Sequence, residues 1–180
     1  MPQVHDSSAW WCLENGALGI GEDHTQPEGR QLAIDLIDSG LVTHLFIELA
    51  DAHYGGVLAN AQQIATNGGT RQQIQAACPD GNLFVCPISL KQVITAALKI
   101  GVPVHLADHP IMASRSGDFQ RRHNSILQTF RTVTNQPGPG AAQAVGPASV
   151  GCLFLWGGAH FEGGRALDIF IPGLPFIMMG

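Results

Sequence analysis

The chain has 180 residues, of which 45% are hydrophobic and only 13% are charged, and its net charge is −5 at pH 7. This length and apolar content predict one globular domain with a full core. Nine Lys and Arg residues without a basic run argue against a nucleic-acid partner. We also find no run of roughly 20 apolar residues to span a membrane, and no basic segment followed by an apolar one, as in a signal peptide.

Strand and helix patterns alternate along the chain. The expected strands cover residues 17–20, 42–47, 102–106, 150–156, 167–171 and 176–179. The expected helices cover residues 8–16, 25–40, 57–66, 70–77, 89–100 and 118–133. Three of these helices are predicted to begin at capping boxes, at Thr25, Thr70 and Ser89. Residues 83–86 are read as a short extended piece between helices.

This alternation is typical of an α/β fold: a single-domain, open, mostly parallel sheet with helices on both faces. Three of the strands are almost continuously apolar, as expected when both faces of a sheet are covered. Residues 135–149 are rich in Gly, Pro, Ala and Gln and show no periodicity. A loop of this length is usually a lid, a binding loop or disordered, so we expect it to be mobile.

Polar groups follow three of the predicted strands. The motif G-E-D-H, with Glu22 and His24, follows the first strand, Glu48 follows the second, and the motif G-G-A-H ends at His160 after a later one. In an open α/β sheet such strand ends converge on one crevice, the usual place for a ligand. We therefore predict an active site built from these four residues, against the alternative that each is a solvated turn residue or helix cap.

Two chemistries are open for this set. In one, His24, His160 and a carboxylate hold a divalent metal that activates water, and the second carboxylate is the general base. In the other no metal is needed, because two close carboxylates raise the pKa of one of them and the histidines polarise a carbonyl group. Helix-borne zinc motifs such as H-E-x-x-H are absent.

Supporting residues are predicted around the same crevice. Asp108 follows the third strand, Arg121 and Asn124 begin the long helix, and Tyr54 lies in the loop after Glu48. Arg30, near the start of the second helix, also has the reach to face the crevice. His109, before Pro110, is read as a turn residue. The remaining histidines have no partner spacing and are interpreted as structural: His5, His44, His53, His105 and His123. The four cysteines form no C-x-x-C pair and are read as thiols in a reducing compartment.

These motif positions resemble the TIKI/TraB, erythromycin esterase and ChaN-like superfamily, which carries an early G-E-x-H, an acidic residue after the second strand and a late G-x-x-H. The likeness is greatest to its toxin-associated branch. That branch includes a domain of mitogenic and dermonecrotic toxins and the Ras-cleaving peptidase domain of multifunctional autoprocessing toxins. The resemblance spans residues 17–179, although only the motif positions are specific, and it implies one such domain over residues 1–180.

The resemblance implies a hydrolase with Glu22, His24, Glu48 and His160 as its catalytic set. We expect a peptidase or other amide-bond hydrolase that acts on a protein or peptide, and the resemblance implies that it is a bacterial effector or toxin domain. The expected location is the cytoplasm, or outside the cell without a signal peptide. The alternatives are an esterase, a binding module for a divalent metal or haem without turnover, with the metal preferred, and a catalytically silent interaction domain.

Overall fold

The computed structural model describes residues 6–81, 85–110, 119–136, 142–163 and 166–180. Within these residues a five-stranded sheet forms the centre, and all of its pairings are parallel. The strands are β1 (Ala17–Glu22), β2 (His44–Ala50), β3 (Val104–Asp108), β4 (Cys152–Gly157) and β5 (Phe176–Met179). Their order across the sheet is β3-β2-β4-β1-β5. The predicted α/β fold with an open parallel sheet is therefore confirmed.

Helices cover both faces of this sheet. They are α1 (Ala9–Asn15), α2 (Glu28–Asp38), α3 (Asp51–Thr66), α4 (Arg71–Ala77), α5 (Leu90–Lys99) and α6 (Phe119–Thr134). Residues of α1 to α5 share one apolar cluster with alternate residues of the strands, such as Leu18 and Ile20. Residues of α6 share the opposite cluster with Phe46, Phe154 and Trp156. The alternation of side chains along each strand divides the core into these two layers.

The position of α6 follows from the path of the chain. From β1 to β2 and on to β3 the chain moves toward one edge of the sheet, with α2 to α5 on one face. After β3 it turns back and inserts β4 between β2 and β1. Because parallel crossovers are right-handed, this reversal requires α6 on the opposite face. As a result, α6 approaches the carboxyl ends of the strands from the side that the other helices leave open.

Several local predictions differ from the structure. Residues 167–171 do not form a strand; Leu167–Ile169 is a 3-10 helix, because Leu167 and Ile171 both turn into the second core cluster. The T-x-x-E capping box is also wrong, since Thr25 bonds Asp23 instead and α2 begins at Glu28 without a side-chain cap. The boxes at Thr70 and Ser89 are confirmed.

Three residues in the described part of the Gly/Pro-rich segment are buried, while the residues between them are partly or fully exposed. Ala142 and Ala144 are buried in the second core cluster. The Ala144 carbonyl accepts a hydrogen bond of 2.9 Å from the Ala17 amide and one of 2.7 Å from the Ser149 hydroxyl. The mobility expected for this loop stays a prediction, and these contacts anchor residues 142–149 at Ala142, Ala144 and Ser149. Residues 137–141 of this segment lie outside the described residues, as do His5 and residues 82–84 of the predicted extended piece.

Across the described ranges, none of the helices combines the length and the apolar character that crossing a bilayer would require.

Candidate active site

Acidic side chains lie at the carboxyl ends of three strands of the sheet: the neighbours β3 and β2, and β1, which is separated from β2 by β4. Glu22 is the last residue of β1, Asp108 is the last residue of β3, and Glu48 lies near the end of β2. Gly157 ends β4 and is paired in register with Glu22. Each strand is longer at this end than predicted, so these groups belong to the rigid sheet and not to the loops after it. The predicted crevice is thus formed by regular backbone.

Glu22 is a buried carboxylate held by two basic side chains. It is 3% exposed and lies on the face that α2 covers. Gly29 allows α2 to come close, since a Cβ there would lie 2.9 Å from the Cβ of Glu22. The next residue, Arg30, then donates to Oε2 at 2.9 Å and to Oε1 at 3.2 Å. His24 Nδ1 also donates to Oε1, at 2.9 Å. This contact fixes the orientation of the His24 ring.

Glu48 lies between several donors. Arg122 and His160 approach Oε1, with His160 Nε2 at 3.2 Å. The Gly157 amide donates to Oε2 at 2.7 Å, and His24 Nε2 lies 3.6 Å from the same oxygen. Burial alone would raise the pKa of Glu48, but His160, Arg122 and the Gly157 amide together lower it to about 2. The expectation that two close carboxylates raise the pKa of one of them is therefore wrong for Glu48, because each carboxylate is paired with an arginine.

The pKa of His24 shifts upward, whereas that of Glu48 shifts downward. The largest influence on the pKa of His24 is the hydrogen bond to Glu22, which raises it. Partial burial lowers this pKa, and the charge of Glu48 raises it further. The pKa of His24 therefore lies above its ordinary value. Its side chain is 30% exposed, compared with 3% for His160. Among the four predicted residues, His24 is therefore the basic group that a ligand reaches from solvent.

Gly157 leaves the space in which His24 and Glu48 meet. A Cβ at this position would lie 2.7 Å from His24 Nε2 and 3.3 Å from Glu48 Oε2. Its φ of −54° and ψ of 140° are open to any residue, so the requirement for glycine is one of space and not of backbone conformation. Gly157, the first glycine of the G-G-A-H motif, thus has a steric function in the site.

The donor set does not fit a metal ion. Both carboxylates are already bound by arginines and histidines, and a metal ligand needs a free lone pair aimed at the ion. Within the part of the chain that the structure describes, no three His, Cys, Asp or Glu side chains are arranged to hold a metal. We therefore derive no chemistry through a metal here.

The structure brings together only part of the predicted supporting set. Asp108 accepts hydrogen bonds of 2.8 and 2.7 Å from Nε and Nη2 of Arg122, which connects it to Glu48. Arg121 and Asn124 are exposed and line a separate shallow groove on the outer side of α6. Tyr54 lies within α3, packs against the first core cluster and contacts the ring of His53. The predictions for Arg121, Asn124 and Tyr54 are not supported by these contacts.

Sequence reasoning missed two residues of the site, Arg122 and His123. Both are buried, and His123 Nε2 lies 2.9 Å from His160 Nδ1. The helix periodicity carries a signal for them, because Arg122 lies one helical turn before the apolar residue Ile126, which is buried. Arg121 and Asn124 lie on the exposed side of the same helix.

Comparison with protein-family models, curated proteins and solved structures finds no match to this chain. The superfamily resemblance therefore remains a prediction that rests on the motif residues.

Proposed function

We propose that this domain is a hydrolase that cleaves an amide bond in a peptide or protein, with His24 as its general base. The observation that carries this proposal is the chain of contacts from Arg30 through Glu22 to His24, which ends at the partly exposed imidazole beside Glu48. A carboxylate that orients a histidine, which in turn faces the reacting group, is a recurring arrangement in hydrolytic enzymes.

The protonation of His24 suits this role. Because its Nδ1–H donates to Glu22, the neutral ring has its lone pair on Nε2, on the side of Glu48. The raised pKa makes this nitrogen a stronger base than an ordinary histidine. Glu48, with a pKa of about 2, is a weak base by comparison. We therefore assign proton transfer to His24 and not to a carboxylate.

The proposed reaction follows from these assignments. His24 Nε2 takes a proton from a water molecule while the water oxygen attacks the carbonyl carbon, which produces an oxyanion and an imidazolium. The C–N bond then breaks as the imidazolium returns the proton to the departing amine. Arg122 is paired with both Glu48 and Asp108, so it holds the Glu48 carboxylate in place beside His24. Glu48 stabilises the imidazolium between the two steps.

The proposal is tested with a peptide library derived from a whole proteome. The library is incubated with the parent protein, with His24→Ala and with His53→Ala, and new peptide termini are identified by mass spectrometry. His53 is a matched control, since it is an exposed histidine on α3 whose contact is the Pro110 carbonyl. We expect cleavage by the parent and by His53→Ala, and none by His24→Ala.

Equal cleavage by the parent and by His24→Ala would contradict the proposal. A panel of 4-nitrophenyl esters run in parallel decides between amide and ester substrates. Hydrolysis of the esters alone, lost in His24→Ala, would replace the amide-bond assignment by an esterase. Thermal melting of each variant confirms that the loss is not caused by unfolding.

A further inference from the structure

His123 lies behind the site, next to His160, and has an unusual environment. It is fully buried. The centroids of the Phe119 and Phe170 rings lie 5.9 and 4.9 Å from the centroid of the His123 ring. Its Nε2 is 2.9 Å from His160 Nδ1, while its Nδ1 has no hydrogen-bond partner among the described residues. A buried polar atom without a partner is rare in a folded protein, so this arrangement calls for a physical reason.

Two arrangements of the protons are compatible with this contact. In the first, His123 Nε2–H donates to His160 Nδ1, and His160 carries its own proton on Nε2, 3.2 Å from Glu48 Oε1. In the second, His160 Nδ1–H donates to His123 Nε2, and the proton of a neutral His123 is on Nδ1. The two arrangements differ in what the unpartnered nitrogen carries, a lone pair in the first and an N–H in the second.

The first arrangement is the favourable one. The second buries an N–H group without an acceptor, which is among the rarest defects in native proteins. With a neutral His160, it also places a lone pair against the Glu48 carboxylate, where a donor is needed. If His160 is doubly protonated, its Nε2–H can donate to Glu48, but the Nδ1–H of His123 is still buried without an acceptor. The hydrogen-bond network therefore assigns the proton of His123 to Nε2.

We propose that His123 is a positioning residue for the candidate active site: it donates to His160 Nδ1 and so directs the Nε2–H of His160 at Glu48. The consequence for catalysis rests on the function proposed above. Burial, together with the charges of His160 and Arg122, lowers the pKa of His123 to about 3, which agrees with a neutral ring that carries one proton. The full burial of His123 also argues against a role as a proton relay to solvent, because Nδ1 has no hydrogen-bond partner among the described residues.

The proposal is tested with two substitutions that differ in one property. In His123→Gln the amide nitrogen lies the same number of bonds from the backbone as Nε2 and can donate to His160. In His123→Phe the volume and aromatic packing are kept and the donor is lost. On a peptide that the parent cleaves, we expect His123→Phe to lower kcat by about 10- to 100-fold with KM unchanged, as for other orienting partners. His123→Gln should stay close to the parent.

A second measurement makes the test independent of turnover. In protein labelled with ¹⁵N-histidine, NMR reports which ring nitrogen of each histidine is protonated. We expect Nδ1 of His160 to be an unprotonated acceptor in the parent and in His123→Gln, and its signal to shift in His123→Phe. A proton on His160 Nδ1 in the parent would overturn the proposal. So would a His123→Phe variant that leaves both the His160 signals and kcat unchanged. If the parent cleaves nothing, the proposed function fails, and the NMR result alone decides this inference.

Discussion

The substitution Gly157→Ala separates the geometry of the site from the stability of the fold. The added Cβ would lie 2.7 Å from His24 Nε2, whereas non-bonded heavy atoms pack at about 3.5–4.0 Å. The backbone cannot easily yield, because Gly157 is paired with Glu22 and its amide bonds Glu48. His24 must therefore move by about 1 Å to restore contact distance.

A displacement of this size affects catalysis more than folding. Misplacing a catalytic group by ~1 Å can cost about 100-fold in rate, which corresponds to about 2.7 kcal/mol. Alanine is compatible with the backbone angles of Gly157, and replacing glycine at such a position stabilises by ~0.4–1 kcal/mol through the unfolded state. That gain offsets part of the local strain, so we expect the melting temperature to change by only a few degrees.

The assay is kcat/KM on a peptide that the parent cleaves, measured together with thermal melting. The matched control is Gly56→Ala, because Gly56 lies in α3 and a Cβ there meets nothing within 4 Å. The control should gain about 0.5–1 kcal/mol of stability and keep its activity. A Gly157→Ala protein with the kcat/KM of the parent would refute the steric reasoning.

Three further predictions concern the charges of the site. Arg30→Met should destabilise the fold by about 3–5 kcal/mol in urea unfolding, because Glu22 is then left buried without its arginine and with His24 as its remaining basic partner; an unchanged midpoint would contradict this. The pKa of Glu48 is lower in the folded protein than its ordinary value of 4.5, so its contribution to stability is present above pH 4.5 and is lost as the pH falls toward about 2. Over that range the parent should lose roughly 3 kcal/mol more than Glu48→Gln, at about 1.4 kcal/mol per pKa unit, and parallel curves would count against it. Glu22→Gln should lower the pKa of His24 in an NMR titration, because the hydrogen bond to Glu22 is the main cause of its rise; no change would show that Glu22 does not tune this base.

The sequence was sufficient to predict the sheet and the acidic half of the site. Apolar runs that end in Glu22 and Glu48 identify both the strands and their carboxyl ends, and parallel topology then brings these ends together. His160 was found in the same way, although it lies in the short 3-10 helix Gly158–Phe161 after β4. Local pattern and a general rule of topology were enough for these residues.

The cationic half of the site could not be predicted in the same way. Arg122 is 74 residues from Glu48 in sequence, and its contact depends on the phase and tilt of α6 against the sheet. The helix periodicity indicates the phase, but the sequence does not show the tilt, so the carboxylates looked like a like-charge pair that would raise a pKa. The pairing of each carboxylate with an arginine, which reverses that expectation for Glu48, emerges only from tertiary packing.

The pH dependence of kcat/KM tests the role of His24 most directly. If His24 is the general base, the rate on a cleaved peptide should fall on the acid side with the same apparent pKa that NMR gives for the His24 ring in the free protein. Both values should move together in Glu22→Gln. An acid limb that lies apart from the His24 titration, or that stays in place when the His24 pKa shifts, would contradict the assignment of His24 as the base.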